Sequence, residues 1–251
     1  MMRAVCLDGR GFCILALILV GVASCLAQEG DGVVERSKYP LEKVVAVEGE
    51  DEEWVLHRED FSEDTLYRIW GTLSENTEIA DGVMKLRRDE PGRGKLKVSV
   101  EPFVDAEFTF RFQLVDGTAL SIGWDDMTAK RVTHAGHLGR VTIGTREIRM
   151  VDSRTGIYDM KHYHAYREGK VTPELEALFA RCEKSVPSMV ETGKWYEARV
   201  RLAGDEAVLW LDGEEVMRFR SPGFAHPRKD MYRFRVIGEE VELDDVLVVG
   251  G

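Results

Sequence analysis

The sequence predicts an all-β protein, an antiparallel sandwich or barrel of short strands. Apolar and polar residues alternate with a period of two over long stretches, the spacing of a strand with one buried and one wet face. Turn signals separate these stretches about every 8–12 residues, too closely for strand–helix–strand units. Asp-Gly dipeptides, at Asp81-Gly82 and Asp212-Gly213, sit between such alternations. A type I′ hairpin turn needs positive φ at both central residues, and Asp-Gly meets that need at low cost.

The N-terminus reads as a targeting segment over residues 1–27. Arg3 and Arg10 precede the apolar run Phe12–Ala23, which is too short to span a bilayer, and small residues follow. Two processing routes are open. Val22-Ala23-Ser24-Cys25 resembles a bacterial lipobox, which would lipidate Cys25 and attach the chain to a membrane. Cleavage after Ala27 would instead leave Gln28 first. Either route predicts export, to the periplasm, the outer membrane or the medium. Residues 28–55 contain Gly49-Glu50-Asp51-Glu52-Glu53 and few large apolar residues, and read as an acidic tether.

The body, residues 56–251, carries the strands. Ile79–Leu86 holds the first Asp-Gly turn. In Glu107–Leu114 the residues Phe108, Phe110, Phe112 and Leu114 face one way, and Glu107, Thr109, Arg111 and Gln113 face the other. Strands follow at 120–124, 138–143 and 147–151. A meander over 193–220 comes next, in which Tyr196, Ala198, Val200 and Leu202 alternate with charge before a break at Gly204. On its wet face Trp195 and Trp210 can meet Arg199 or Arg201. The last strands are 232–237 and 241–249. One helix interrupts them, with Thr172 as N-cap and Pro173 at its first position, running to about Lys184. It belongs to an insertion over roughly 152–192.

Composition narrows the partners. The 251 residues carry a net charge of −11, and loss of Arg3, Arg10 and Asp8 with the leader makes that −12. Such a balance disfavours nucleic acid and anionic membrane surfaces and favours neutral ligands such as saccharides, or simply serves solubility. Cys182 is the only cysteine of the body, so no internal disulfide is expected there. No phosphate-binding glycine loop, nucleophile elbow or paired-cysteine zinc pattern occurs, and no cofactor is expected. His134, His137, His162 and His164 fall short of a zinc ligand spacing and read as polar loop residues.

The stretches EDFSEDTLYRIWGTLS, IADGVMKL, GKWYEARVRLAGDEAVLWLDGEEV and VELDDVLVV, in that order, resemble the concanavalin A-like jelly roll. Within it they resemble the 3-keto-disaccharide hydrolase-like domain family, related to laminin G-type and glucanase domains. The resemblance covers about residues 59–249 and implies a jelly-roll fold that binds glycans or processes them, as a glycoside hydrolase acting on keto-disaccharides. Glucanases of this fold carry a Glu-x-Asp-x-x-Glu strand that supplies nucleophile and acid, and this chain has no such triplet. Glu242 and Asp244 share a strand face but lie beside a turn, where carboxylates are normally solvated.

A saccharide offers apolar ring faces fringed by hydroxyls, so its site needs an aromatic plane beside converging donors and acceptors. Trp124, Asp125, His137 and Arg140 lie within a few residues of sheet. Arg111 lies on the polar side of the cleanest strand, and Tyr163 comes from the insertion. Trp124 equally fits core packing. If a reaction occurs, His137 or Asp125 is the expected proton-transfer group, the latter if partial burial raises its pKa. A non-catalytic structural or adhesive envelope module is the competing reading.

Overall fold

The computed structural model describes residues 47–48, 54–66, 68–72, 76–88, 94–116 and 119–251. The predicted leader, Cys25 and most of the predicted tether lie outside the described residues. In chain order the strands are β1 (Val47–Glu48), β2 (Trp54–Glu59), β3 (Gly71–Thr72), β4 (Glu78–Ala80), β5 (Val83–Arg87), β6 (Lys95–Phe103), β7 (Ala106–Leu114), β8 (Ala119–Asp125), β9 (His137–Gly144), β10 (Glu147–Asp152), β11 (Glu183–Pro187), β12 (Trp195–Ala203), β13 (Glu206–Leu211), β14 (Glu214–Arg220), β15 (Lys229–Ile237) and β16 (Glu240–Gly250). Two short helices, α1 (Met160–Arg167) and α2 (Pro173–Arg181), lie between β10 and β11.

The strands form two antiparallel sheets. One runs β1-β2-β16-β7-β12-β13-β14, with β5 also paired to β16 and β4 to β5. The other runs β11-β10-β9-β8-β15-β6-β3. The Asp-Gly hairpins form as their chemistry requires: φ is 58° and 75° at Asp81 and Gly82, and 49° and 84° at Asp212 and Gly213. Strand β16 pairs with β5 through Glu240–Leu243 and with β2 from Val246 onward, and the change falls at a bulge where Asp245 has a φ of 48°.

The alternating phenylalanines of β7 are buried as predicted. Across the sandwich Phe108 meets Tyr232 of β15 at 5.7 Å and Phe110 meets Phe234 edge-on at 4.9 Å between ring centroids. The meander also forms as read, and Arg199 covers Trp210 at 4.1 Å on its wet face. Strands β2 and β6 add to those expected. Leu96, Val98 and Val100 of β6 point inward between the half-buried Lys95, Lys97 and Ser99, a period-two signal present in the sequence.

The insertion departs from expectation. Residues 160–167, read as loop, form α1, capped by Asp159, which accepts from the Lys161 amide. Their apolar residues lack helical spacing, so only the cap foretells the helix. Helix α2 starts at the predicted Thr172 cap but stops at Arg181, because Glu183–Pro187 leaves to pair with β10 as an edge strand. Asp152, at the end of β10, is fully buried and accepts from Thr155 N and Oγ1, Ser221 Oγ and Gly223 N. It ties the root of the insertion to the β14–β15 loop. A Cβ at residue 223 would lie 1.8 Å from Asp152 Oδ1, so this loop requires glycine there.

His57 sits in the core beside Trp70, and its Nδ1 shares a hydrogen bond with the Tyr232 hydroxyl. Burial lowers its pKa to about 4, so the folded protein holds the ring neutral.

Phe110→Ala is expected to destabilise the fold by about 3–5 kcal/mol in chemical denaturation, the usual cost of emptying a large core position. A neutral result would contradict the sandwich core. His57 is expected to make the fold acid-sensitive. The unfolded ring takes up its proton near pH 6.5 and the folded one only near 4. Its stabilising contribution is therefore complete above about pH 6.5 and drains away as pH falls toward 4, by on the order of 3 kcal/mol. Urea titrations at several pH values should show this slope in the parent and a flatter one in His57→Phe.

Candidate functional site

Antiparallel register places side chains of the β9-β8-β15-β6 face in rows. On the outer face of this sheet the first row is His137, Asp125, Met231 and Ser99. The second is Arg140, Gly123, Arg233 and Lys97, and the third is Thr142, Ser121, Arg235 and Lys95. Successive rows are two residues apart on β8, β15 and β6, about 7 Å along the strands, while His137 and Arg140 of β9 are three apart. Trp124, Tyr232 and Val98 form the intervening row on the core face.

The first row depends on an irregularity. A register shift between Trp124 and Asp125 sets His137 opposite Asp125, while Leu138 is buried in the core. The chain enters β9 through a short 3-10 turn, His134–Gly136, with Ala135 and Gly136 at φ 54° and 79°. A Cβ at residue 136 would stand 2.3 Å from the Asp126 carbonyl oxygen, so glycine lets the turn press against the end of β8.

Asp125 is 2% exposed, and Arg233 donates to its Oδ1. His137 Nδ1 lies 3.0 Å from the same oxygen, with 14% of its side chain exposed. Burial alone would raise the pKa of Asp125, but the charge of Arg233 and the contact with His137 outweigh it and hold the carboxyl below its ordinary value. An ionised carboxylate only accepts, so His137 donates through Nδ1, and in the neutral form of the ring the lone pair is on Nε2. Gly123 makes the arrangement possible. A Cβ there would lie 2.8 Å from Arg233 Cζ, so its absence lets the guanidinium cross β8 to reach Asp125.

Arg140 stands in the next row. It donates to Ser153 Oγ at 3.1 Å and lies 6.0 Å from the centre of the Tyr158 ring, with no carboxylate partner among the described residues. Burial lowers its pKa, Tyr158 opposes the shift, and the like charges of Arg233 and Arg235 reinforce it. A guanidinium stays protonated through such a shift. The insertion closes one side of the cluster with aromatic rings. Tyr158 lies 5.5 Å from His137 and 5.6 Å from His134, and His134 stacks on Tyr163 of α1 at 4.1 Å.

Of the residues singled out from the sequence, Asp125, His137 and Arg140 come together on one face, and Tyr163 supports them from behind through His134. Two do not belong. Trp124 is fully buried on the core side, packed over Gly139 and edge-on to Phe224, and cannot present a ring to a ligand. Arg111 is on the other sheet, where it pairs with Asp244 at 3.3 Å and lies 5.2 Å from the Trp195 ring. Asp125 also departs from expectation, since its pKa is lowered rather than raised. The sequence reading missed Arg233, Arg235 and Tyr158. The arginines stand at i, i+2 in Tyr232-Arg233-Phe234-Arg235, on the polar side of an aromatic strand, and that alternation was the available signal. Among the described residues no three His, Cys, Asp or Glu side chains gather as a metal site.

Residues 49–242 match the family described as the 3-keto-alpha-glucoside-1,2-lyase-like domain. The chain belongs to that family. No curated protein matches it by sequence. Among solved structures, SCLam, a non-specific endo-beta-1,3(4)-glucanase from family GH16, has a TM-score of 0.53 at 14% identity, covering 81% of this chain and 92% of that one. A mutant of the same glucanase, with 1,3-beta-D-cellobiosyl-glucose at its active site, gives 0.51 at 14% identity over 82% and 97%. A sialidase gives 0.53 at 14% identity over 78% of this chain, which spans 18% of the sialidase's length. These likenesses establish the concanavalin A-like jelly roll for this member of the lyase-like family.

Arg233→Met is expected to destabilise the protein by about 3–5 kcal/mol at pH 7, because it strips a buried carboxylate of its cation. Chemical denaturation measures this, and a loss below about 1 kcal/mol would mean that Asp125 does not depend on Arg233.

Proposed function

We propose that this chain is an exported enzyme that cleaves 3-keto-α-glucosides by elimination across C1 and C2. The family description supplies the reaction class. The observation that carries the assignment to this face is the Asp125–His137 pair one row from Arg140, a partly buried guanidinium without a carboxylate partner among the described residues.

A ketone at C3 acidifies the proton on C2. His137 Nε2 takes that proton, with Asp125 stabilising the imidazolium that forms. The electron pair moves onto the C3 oxygen as an enolate, which Arg140 stabilises by charge and hydrogen bonding. The enolate then collapses, forming the C1–C2 double bond and expelling the glycosidic oxygen, which takes a proton from water. The products are an unsaturated keto sugar and a free alcohol. Direct hydrolysis by a carboxylate pair fits this face less well. Such enzymes need two carboxyls, one able to hold a proton, whereas Asp125 is the only carboxylate in the three rows and is kept ionised.

The test compares 4-nitrophenyl 3-keto-α-glucoside with plain 4-nitrophenyl α-glucoside. The keto compound should release nitrophenol and the plain one should not, and deuterium at C2 should slow the release. His137→Ala is expected to lower the rate by roughly 10²–10⁴-fold and Arg140→Met by about 10²–10³-fold, with melting temperatures measured alongside. Equal release from both glucosides would point to hydrolysis, and no release from either would sink the assignment.

A further inference from the structure

The charge of this face runs against that of the chain. The protein has 45 acidic and 34 basic residues, and many of its arginines are matched by carboxylates: Arg87 by Glu78 and Glu240, Arg218 by Glu206 and Glu215, Arg220 by Asp205 and Glu206. The three rows over β9, β8, β15 and β6 reverse this pattern. They hold Arg140, Arg233, Arg235, Lys97 and Lys95, with Asp125 as their single carboxylate, and Asp125 is already engaged by Arg233. Arg140, Arg235 and Lys97 have no carboxylate partner among the described residues. Between the cationic strands, β8 presents only Gly123 and Ser121 outward in the second and third rows; the Arg233 guanidinium lies over Gly123, Ser121 leaves the third row low, and the flanking side chains are positive. Like charges gathered on a partly buried face repel one another, and an anion bound among them relieves that repulsion.

One cation is enough to stabilise an enolate at the reacting ring. Arg235 lies in the third row, four residues along the sheet from the His137 row, or about 13 Å. It is too far along to serve the same ring atoms as His137. Lys97 flanks Arg233 on the opposite side from Arg140.

We propose that the glycoside received by this face carries an anionic group, a carboxylate or a sulfate ester, on the unit beyond the reacting sugar, and that Arg235 and Lys97 bind it. This rests on the lyase reading only for which end of the face holds the reacting ring. The anionic group sets substrate choice: a guanidinium and an ammonium without protein carboxylates form charge-assisted hydrogen bonds to an anion and none of comparable strength to its neutral ester.

The experiment uses the full-length protein and three aryl α-glucosides: 4-carboxyphenyl, its methyl ester, and 4-sulfooxyphenyl. Binding of the plain glucosides is measured by calorimetry, and turnover is measured with their 3-keto forms. At least one anionic glucoside should bind about tenfold more tightly than the ester, equivalent to about 1.4 kcal/mol. The preference should shrink as salt is raised. Whichever anion binds tighter identifies the acid. Arg235→Gln and, independently, Lys97→Gln should reduce the preference while leaving the melting temperature unchanged. Affinities within about twofold for all three compounds would overturn the proposal, as would a preference that survives both substitutions. The two readings fail separately. Turnover of the keto forms without an acid preference removes this inference and leaves the lyase. An acid preference without turnover removes the lyase and leaves the anion site.

Discussion

A buried carboxylate organises this face of the protein. Asp125 lies at the end of a strand with 2% of its surface exposed. An ionised group at such a position is tolerated only with partners at hand. Each partner imposes a condition on the chain. Arg233 reaches it only because residue 123 is glycine, and His137 faces it only because the register slips at the start of β9. The left-handed turn at Ala135-Gly136 delivers β9 at that slipped register. Glycine, bulge and turn are local departures from regular sheet that together serve one charge.

The remainder of the sandwich holds these parts still. Strand β15 contributes Tyr232 and Phe234 to the core on one side and Arg233 and Arg235 to the outer face on the other. The edge-on contact of Phe110 with Phe234 therefore helps to fix the residues that carry the arginines. Strand β8 works the same way, with Trp124 locked between Gly139 and Phe224 while its neighbour Asp125 faces outward. Period-two geometry couples core packing on one face to site geometry on the other. The insertion adds what the sheet lacks: Tyr158 and the His134–Tyr163 stack close one side, and Asp152 anchors its root by four hydrogen bonds.

Much of this was legible in the order of residues. Alternation in Glu107–Leu114 and in the 193–220 meander determined which side chains go inside, because a strand allows only two directions and the apolar set must be buried. The Asp-Gly pairs determined two hairpins, because few other dipeptides accept positive φ twice. Thr172-Pro173 determined where α2 begins. Asp125, His137 and Arg140 stood out because they put hydrogen-bond donors and acceptors close to Trp124 along the chain, the mixture a saccharide site needs.

Tertiary structure alone decided the rest. Whether Trp124 is a platform or a core residue depends on which face of β8 meets the other sheet, and the bulge beside it makes local counting ambiguous. Arg111 and Arg140 look alike along the chain, but strand order puts them on opposite sheets. Arg233 is more than 100 residues from Asp125 in sequence, and only the β8–β15 pairing brings them into contact. That contact reverses the expected pKa shift of Asp125 and turns a candidate proton-transfer group into a fixed anion. Local pattern determines burial, since burial follows from one strand's own periodicity. The site depends on which strands lie side by side, and that pairing is settled by the packing of the whole sandwich.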